Sequence, residues 1–313
     1  MFRYLKDYDM ADLRDMLRNQ RAPHERTTAS LACKTVVVAG STSGVGLAAA
    51  REVARFGGRL VLLARNEGKG RAVQAQLERD FGAEASLHLA DFARLAEVDR
   101  VSRELLDAYE RIDVLINSAG VYSTRRLHTD DGHELTFCVN HLAPFLLTVR
   151  LLPRMRQAGG GRILQVNSQG HRFGGLDLRD LAWRRRIYLG LRAYGASKTA
   201  QLLTVWELAD RLEGSGVTIN AVHPGEVRTG IGLNNGPLYR WYQRRLIDPW
   251  LADARVAGES LHTLAAAPEL EGVSGRYFNR THLEKPAPHA LDRVVGRALW
   301  ETTMDLTGLT DDV

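Results

Sequence analysis

Tyr194 and Lys198 stand four positions apart in the stretch AYGASKTAQLL. At 3.6 residues per turn, positions i and i+4 lie one above the other, so on a helix the phenol and the ammonium reach a common space. A phenol so placed is a candidate proton donor, although the same pair also occurs on ordinary solvated faces, and other parts of a site must decide. A second candidate lies in VVVAGSTSGVG, where Gly40, Gly44 and Gly46 fall between an apolar run and a helical pattern. Glycines there let the chain turn tightly and let backbone N–H groups approach a pyrophosphate, which the helix N-terminus then stabilises. The strand before and the helix after make this match far more specific than three glycines alone. The next apolar run ends in VLLARN, where the ribose of a dinucleotide sits in such folds. An acid there would bind the 2′-hydroxyl and repel a 2′-phosphate. Ala64 and Arg65 occupy the place instead, which favours NADP(H) and leaves NAD(H) possible.

The elements that must hold these groups alternate regularly. TVVVAG, RLVLLAR, ASLHLAD, DVLINSAG, GRILQVNS and VTINAVHPG read as buried strands, each next to an amphipathic helical pattern. Continuous apolar strands between such helices predict an α/β fold: a single doubly wound Rossmann-type parallel sheet with helices on both faces. With no repeat, low-complexity tract or linker, residues 31–313 read as one dinucleotide-binding catalytic domain. Residues 1–30 read as a polar extension with a short helix, capped by Asp9 and striped by Met10, Leu13 and Leu17. So narrow a stripe among charges predicts a docking arm, not a membrane anchor. Residues 230–256 break the rhythm and are rich in aromatics and arginine.

Composition excludes several classes. The 313 residues are 44% hydrophobic and 25% charged, as in an ordinary globular chain rather than a disordered or fibrous one. Two cysteines, Cys33 and Cys138, are too few for a disulfide framework or a zinc site, so no metal is expected and a reducing compartment fits. The net charge of +5 comes from 42 basic residues interleaved with 37 acidic ones, which argues against nucleic acid as a partner. No run approaches the roughly 18 apolar residues of a bilayer span. The first residues lack the apolar region of a signal peptide, so no transmembrane segment and a cytoplasmic location are expected.

Taken together, these pieces resemble the short-chain dehydrogenase/reductase family, and within it the retinol-dehydrogenase-like group, from about residue 34 to 309. The resemblance rests on the glycine turn, LAD ending at Asp91, NSAG at 117–120, VNHLAPFLLT at 139–148, VNSQGH at 166–171, YGASK at 194–198 and HPGEVRT at 223–229. PELEGVSGRYF (268–278) and ALWETTMDLTGL (298–309) resemble that group's C-terminal region.

The resemblance implies an oxidoreductase in which Tyr194 is the general acid/base, Ser168 holds the substrate oxygen, Lys198 binds the nicotinamide ribose and Asn140 orders a water in the proton relay. Hydride addition to a carbonyl creates an alkoxide, so a neutral acid must protonate the oxygen that Ser168 steadies. The ammonium of Lys198 is expected to favour the ionised form of the phenol, which answers why the two share a face. Cofactor contacts are implied at Ser41, Ser43 and Val45 beside the three glycines, at Arg65, and at Asp91 and Phe92 after the third strand. Further contacts are implied at Asn117, Ala119 and Gly120 after the fourth, and at Pro224, Gly225, Val227 and Thr229 after the sixth. In the family the segment after HPG closes over the substrate. Leu238, Tyr239, Trp241 and Tyr242, with Leu246, Ile247 and Trp250, would wall a mainly apolar pocket, with Arg240 or Arg244 at its rim. These side chains could instead pack against the sheet or a second subunit, and a homo-oligomer is left open.

Four positions depart from the family pattern. Ala39 stands for a usual Thr, Ser118 for the second Asn of NNAG and Asn167 for the first of two serines, and the glycine loop carries no basic residue. The last leaves cofactor selection to Arg65. The insert from His171 to Arg192 lengthens the spacing between Ser168 and Tyr194, as in the retinol-dehydrogenase-like group, and carries three consecutive arginines, Arg184–Arg186. The expected function is an NADP(H)-dependent interconversion of an alcohol and a carbonyl on a mainly hydrophobic small molecule. The alternative is a non-catalytic dinucleotide-binding regulator or interaction protein. A nucleotide-sugar epimerase or dehydratase fits less well, because those relatives usually carry a larger C-terminal domain.

Overall fold

The six apolar runs form strands β1 (Thr35–Ala39), β2 (Arg59–Ala64), β3 (Ala85–Leu89), β4 (Val114–Asn117), β5 (Gly161–Val166) and β6 (Val217–His223). Short strands β7 (Tyr277–Asn279) and β8 (His282–Leu283) complete one edge. These assignments come from a computed structural model that describes residues 9–228, 230–232, 235–237, 241, 245 and 251–310. The sheet order is β3-β2-β1-β4-β5-β6-β7-β8, parallel except for the antiparallel β7–β8 pair. Connections run outward in opposite directions from β1 and β4, which opens a crevice at the carboxyl ends of those two strands.

The helices are α1 (Met10–Arg21), α2 (Gly44–Arg55), α3 (Glu67–Phe81), α4 (Leu95–Ala108), α5 (Leu135–Gln157), α6 (Gly190–Arg211), α7 (Arg255–Ala266) and α8 (Arg293–Thr307). Successive strand side chains point to opposite faces, so each central strand feeds two cores. Val37, Val61, Leu115, Ile163 and Ile219 pack with α4, α5, α6 and α8 on one side. Val36, Val38, Leu60, Ile116 and Leu164 pack with α2, α3 and α7 on the other. Each fully buried Val, Leu or Ile contributes about 1.5–3 kcal/mol, which is why these strands read as unbroken apolar runs.

Helix α5 corrects one expectation. An 18-residue window within Leu135–Gln157 has a mean hydropathy of 1.5 and is long and apolar enough to cross a membrane. Its reason is internal, because 89% of that window is buried between the sheet and its neighbouring helices. A π-helical turn at Cys138–Leu142 interrupts the α5 ladder.

The extension is tied to the body of the chain by several polar contacts. Asp9 does cap α1, its Oδ1 accepting from the N–H of Ala11 at 2.8 Å. Met10 and Leu17 remain 65% and 50% exposed, so these two residues of the apolar stripe stand largely open to solvent. Polar groups hold the segment to the body instead. Asn19 Nδ2 donates to the Leu283 carbonyl at 3.1 Å, Asp12 pairs with Lys285 at 2.8 Å, and Thr281 Oγ1 accepts from the Glu25 N–H at 2.8 Å. Glu259, 7% exposed on α7, is bound by His24 at 2.7 Å, Arg26 at 3.0 Å and Arg255 at 2.8 Å. Deleting residues 1–28 strips two of those three partners from a buried carboxylate, a costly loss. The thermal midpoint should drop by several degrees. An unchanged midpoint would show that the segment lies loose.

Candidate active site

The glycine turn is built for close approach. Gly40 has φ +78°, and a Cβ there would lie 2.7 Å from the Ala119 Cα; a Cβ on Gly46 would collide with the Gly40 carbonyl oxygen. Ser43 precedes α2 without a side-chain capping bond, which leaves the first-turn N–H groups for an anion. These features fit a dinucleotide pyrophosphate. Arg65 is exposed just past β2, beside Asn66, whose Oδ1 caps α3 at 2.9 Å, and it forms no ion pair with a described residue.

Other implied contacts divide by what their side chains do. The Ser41 hydroxyl turns inward and donates to the Leu63 carbonyl at 3.2 Å. Val45, Phe92 and Val227 bury their side chains in the two cores, so only their main chains can border a cofactor. Asp91 accepts from the Ala93 N–H at 3.0 Å, and Asn117 Nδ2 donates to Thr148 Oγ1 at 2.8 Å while its Oδ1 is buried without a partner. Gly120 faces Asn140, Pro224 is buried, and Gly225, at φ +92°, lies against the Arg280 side chain. Thr229, Leu238, Tyr239, Tyr242, Leu246, Ile247 and Trp250 lie outside the described residues, as do Arg240 and Arg244. Trp241 is described and 57% exposed.

The four catalytic candidates converge at the carboxyl ends of β4 and β5 and the start of α6. Asn140 sits in the π-helical turn of α5, where its Oδ1 accepts from the Val121 N–H at 2.8 Å and its Nδ2 donates to Ser197 Oγ at 3.0 Å. Its main-chain oxygen, the acceptor next to the implied relay, takes a hydrogen bond from Gln201 Nε2. Ser168 follows β5, and its Oγ accepts from the Gly170 N–H at 3.0 Å while its hydroxyl hydrogen-bonds the Tyr194 phenol. A Cβ on Gly170 would stand 2.7 Å from the Tyr194 ring, which makes glycine the residue that lets the phenol approach Ser168. Tyr122 meets the Tyr194 ring edge to face at 5.9 Å and gives the cleft an aromatic wall.

Burial dominates the electrostatics of the pair. Burial pushes the Tyr194 phenol up to about 12, against the lowering effect of its hydrogen bond with Ser168, and the charge of Glu226 adds to the rise. Lys198 does not offset this. Its Nζ donates to the Val166 carbonyl at 2.9 Å and Gln201 Oε1 at 3.0 Å, lies 5.7 Å from the Tyr194 ring centre, and is pulled down by burial to about 7. Desolvation is the leading cause of both shifts. The result keeps Tyr194 protonated at neutral pH, as an acid for reduction must be.

Several functional residues escaped the sequence reading. Gln201 is one turn beyond Lys198 and outside every motif, and Gly170 falls within VNSQGH but was given no role there. Behind Ser168 a buried network joins Glu284 to Gln169 at 2.6 Å, Arg172 at 3.1 Å and Asn279 at 2.9 Å. Glu226 brings an acid 3.5 Å from the buried His223 ring, and burial raises its carboxyl. Of the three consecutive arginines in the insert, Arg186 pairs with Asp180 at 3.2 Å and stacks 4.0 Å over Trp183, a structural role.

Comparison with known proteins agrees with this geometry. The family model described as short chain dehydrogenase matches residues 34–237. Human retinol dehydrogenase 13 is 36% identical over 302 residues, covering 95% of this chain and 90% of that protein. A Streptomyces protein named as a daunorubicin C-13 ketoreductase is 38% identical over 277 residues, 88% of this chain and 93% of its own. A solved Mycobacterium paratuberculosis structure superposes with a TM-score of 0.74 at 30% identity, covering 91% of this chain and 97% of that one. This chain therefore belongs to the short-chain dehydrogenase family, as an oxidoreductase acting on CH–OH groups.

Proposed function

We propose that the protein uses NADP(H) to interconvert a mainly hydrophobic carbonyl compound and its alcohol, with Tyr194 as the general acid/base. The observation that carries this reading is the meeting of the Ser168 hydroxyl, the Tyr194 phenol and the buried Lys198 beside the glycine turn. When bound, the nicotinamide supplies or accepts a hydride at the substrate carbon. Ser168 donates a hydrogen bond to the substrate oxygen. Tyr194, kept protonated by burial, gives that oxygen a proton during reduction and takes it back during oxidation. Lys198 and the main chain after β6 orient the nicotinamide ribose and ring.

The preference for NADP(H) is supported by the exposed Arg65 guanidinium and the lack of an acid at 64 and 65. A hydrophobic substrate is supported by the Tyr122 wall and by the exposure of Trp241, which is not packed onto the sheet. It is also supported by relatives named for retinol and daunorubicin. We place the enzyme in the cytoplasm, where the free thiols of Cys33 and Cys138 would persist. Consumption of NADPH and NADH should be followed across retinoid, steroid, aromatic polyketide and simple aldehyde panels. A bulky apolar ketone or aldehyde should show the higher kcat/KM than a short sugar-like one, and Trp241→Ala should narrow the ratio. A faster small polar compound, or an unmoved ratio, contradicts the substrate assignment; no turnover at all favours a non-catalytic dinucleotide-binding regulator.

A further inference from the structure

Lys198 is buried, and its ammonium must be held by acceptors that α6 and its neighbours supply. One is the main-chain oxygen of Val166 on β5, at 2.9 Å. The other is Gln201 Oε1, one turn along α6, at 3.0 Å. The same oxygen takes a hydrogen bond from Asn167 Nδ2 at 3.0 Å, and Asn167 Nδ2 also reaches the Lys198 main-chain oxygen at 2.9 Å. The other end of the carboxamide, Nε2, donates to the main-chain oxygen of Asn140 in the π-helical turn. Exchanging the two ends would aim an N–H at two donors and set two oxygens face to face, so the network fixes the orientation. Gln201 is itself 2% exposed.

We infer that Gln201 is a positioning residue of the reaction: its carboxamide bridges the Lys198 ammonium and the Asn140 main chain, fixing the ammonium beside Tyr194. The bridge joins two of the four catalytic positions through a group that does not titrate. An amide cannot accept and release a proton as a water does at ordinary pH, so Lys198 acts here as an anchored charge. Asn167, in place of the family's usual serine, holds the oxygen that Gln201 presents. The groups facing the ammonium are few. They are the Tyr194 ring on α6, the Val166 carbonyl on β5 and the Gln201 carboxamide, while Glu226, after β6, acts on Tyr194. No described carboxylate pairs with Lys198, and burial alone brings it to about 7.

The inference rests on the oxidoreductase reading, and its test separates the two. NADPH affinity should be measured by fluorescence titration between pH 5.5 and 9.5, with kcat for a reduced carbonyl compound, in wild type, Gln201→Leu, Gln201→Glu and Tyr194→Phe. A protonated Lys198 binds the ribose hydroxyls, so affinity falls as pH rises through its titration. Losing one acceptor in Gln201→Leu should move that fall to lower pH by about one unit, the scale of one hydrogen bond to a charged group. A carboxylate in Gln201→Glu should move it to higher pH by at least as much. Opposite shifts establish the positioning role. A fall at the wild-type pH in either folded variant overturns it, because a residue that only packs would change stability without moving a titration. Should Gln201→Leu fail to fold, Gln201→Glu decides alone. Turnover retained by Tyr194→Phe would instead refute the reading of the site.

Discussion

Replacing Tyr194 by Phe should abolish turnover while leaving NADPH affinity close to that of wild type. The substitution removes one oxygen and keeps the ring, so the edge-to-face contact with Tyr122 at 5.9 Å and the close fit against Gly170 persist. What is lost, on the proposed mechanism, is the group that passes a proton to the oxygen that Ser168 would hold. General acid/base catalysis contributes about 10²–10⁴-fold, so kcat should fall by at least the lower figure. A variant keeping more than about a tenth of the rate would remove Tyr194 from the acid's role. Lys198→Ala should behave differently and damage both affinity and rate, since its Nζ is fixed between Val166 and Gln201 beside the ring.

Replacing Arg65 by Ala should weaken NADPH and leave NADH nearly untouched. The guanidinium stands exposed at the end of β2 with no ion pair to a described residue, free to form charge-assisted hydrogen bonds to a 2′-phosphate. Such bonds contribute about 1.5–3 kcal/mol, roughly a ten- to hundredfold change in dissociation constant, with the smaller value expected for a site open to water. Added salt should shrink the difference between the cofactors in wild type and not in the variant. The same cofactor ratio in both proteins would locate the selection elsewhere.

The parts of the fold that could be read from the chain are those whose physics is local. Strands β1, β2 and β4 are buried almost throughout, so they appear as nearly unbroken apolar runs, and the glycine turn must be glycine because Gly46 has no room for a Cβ beside the Gly40 carbonyl. Helical spacing puts Tyr194 and Lys198 on one face, and the surrounding motifs were needed to give that pair a role. β7 and β8 were not legible, having only three and two residues. The apolar character of α5 was underestimated because charges flank a window whose interior is almost wholly core. The groups that tune the site were hidden for another reason. Gln201 meets Asn140 across 61 positions, and Gln169 meets Glu284 across 115, pairings that no periodicity encodes. The depressed Lys198 and raised Tyr194 likewise follow from burial, which depends on the assembled fold.

The most direct test is transfer of deuterium from NADPH deuterated at the nicotinamide C4 to a bulky apolar ketone, read by mass spectrometry of the alcohol. Wild type should deliver one deuterium to the carbinol carbon per NADPH consumed, and Tyr194→Phe, still binding the cofactor, should deliver essentially none. NADPH bound by wild type with no labelled alcohol from any bulky ketone or aldehyde, or labelling undiminished in Tyr194→Phe, would contradict the account.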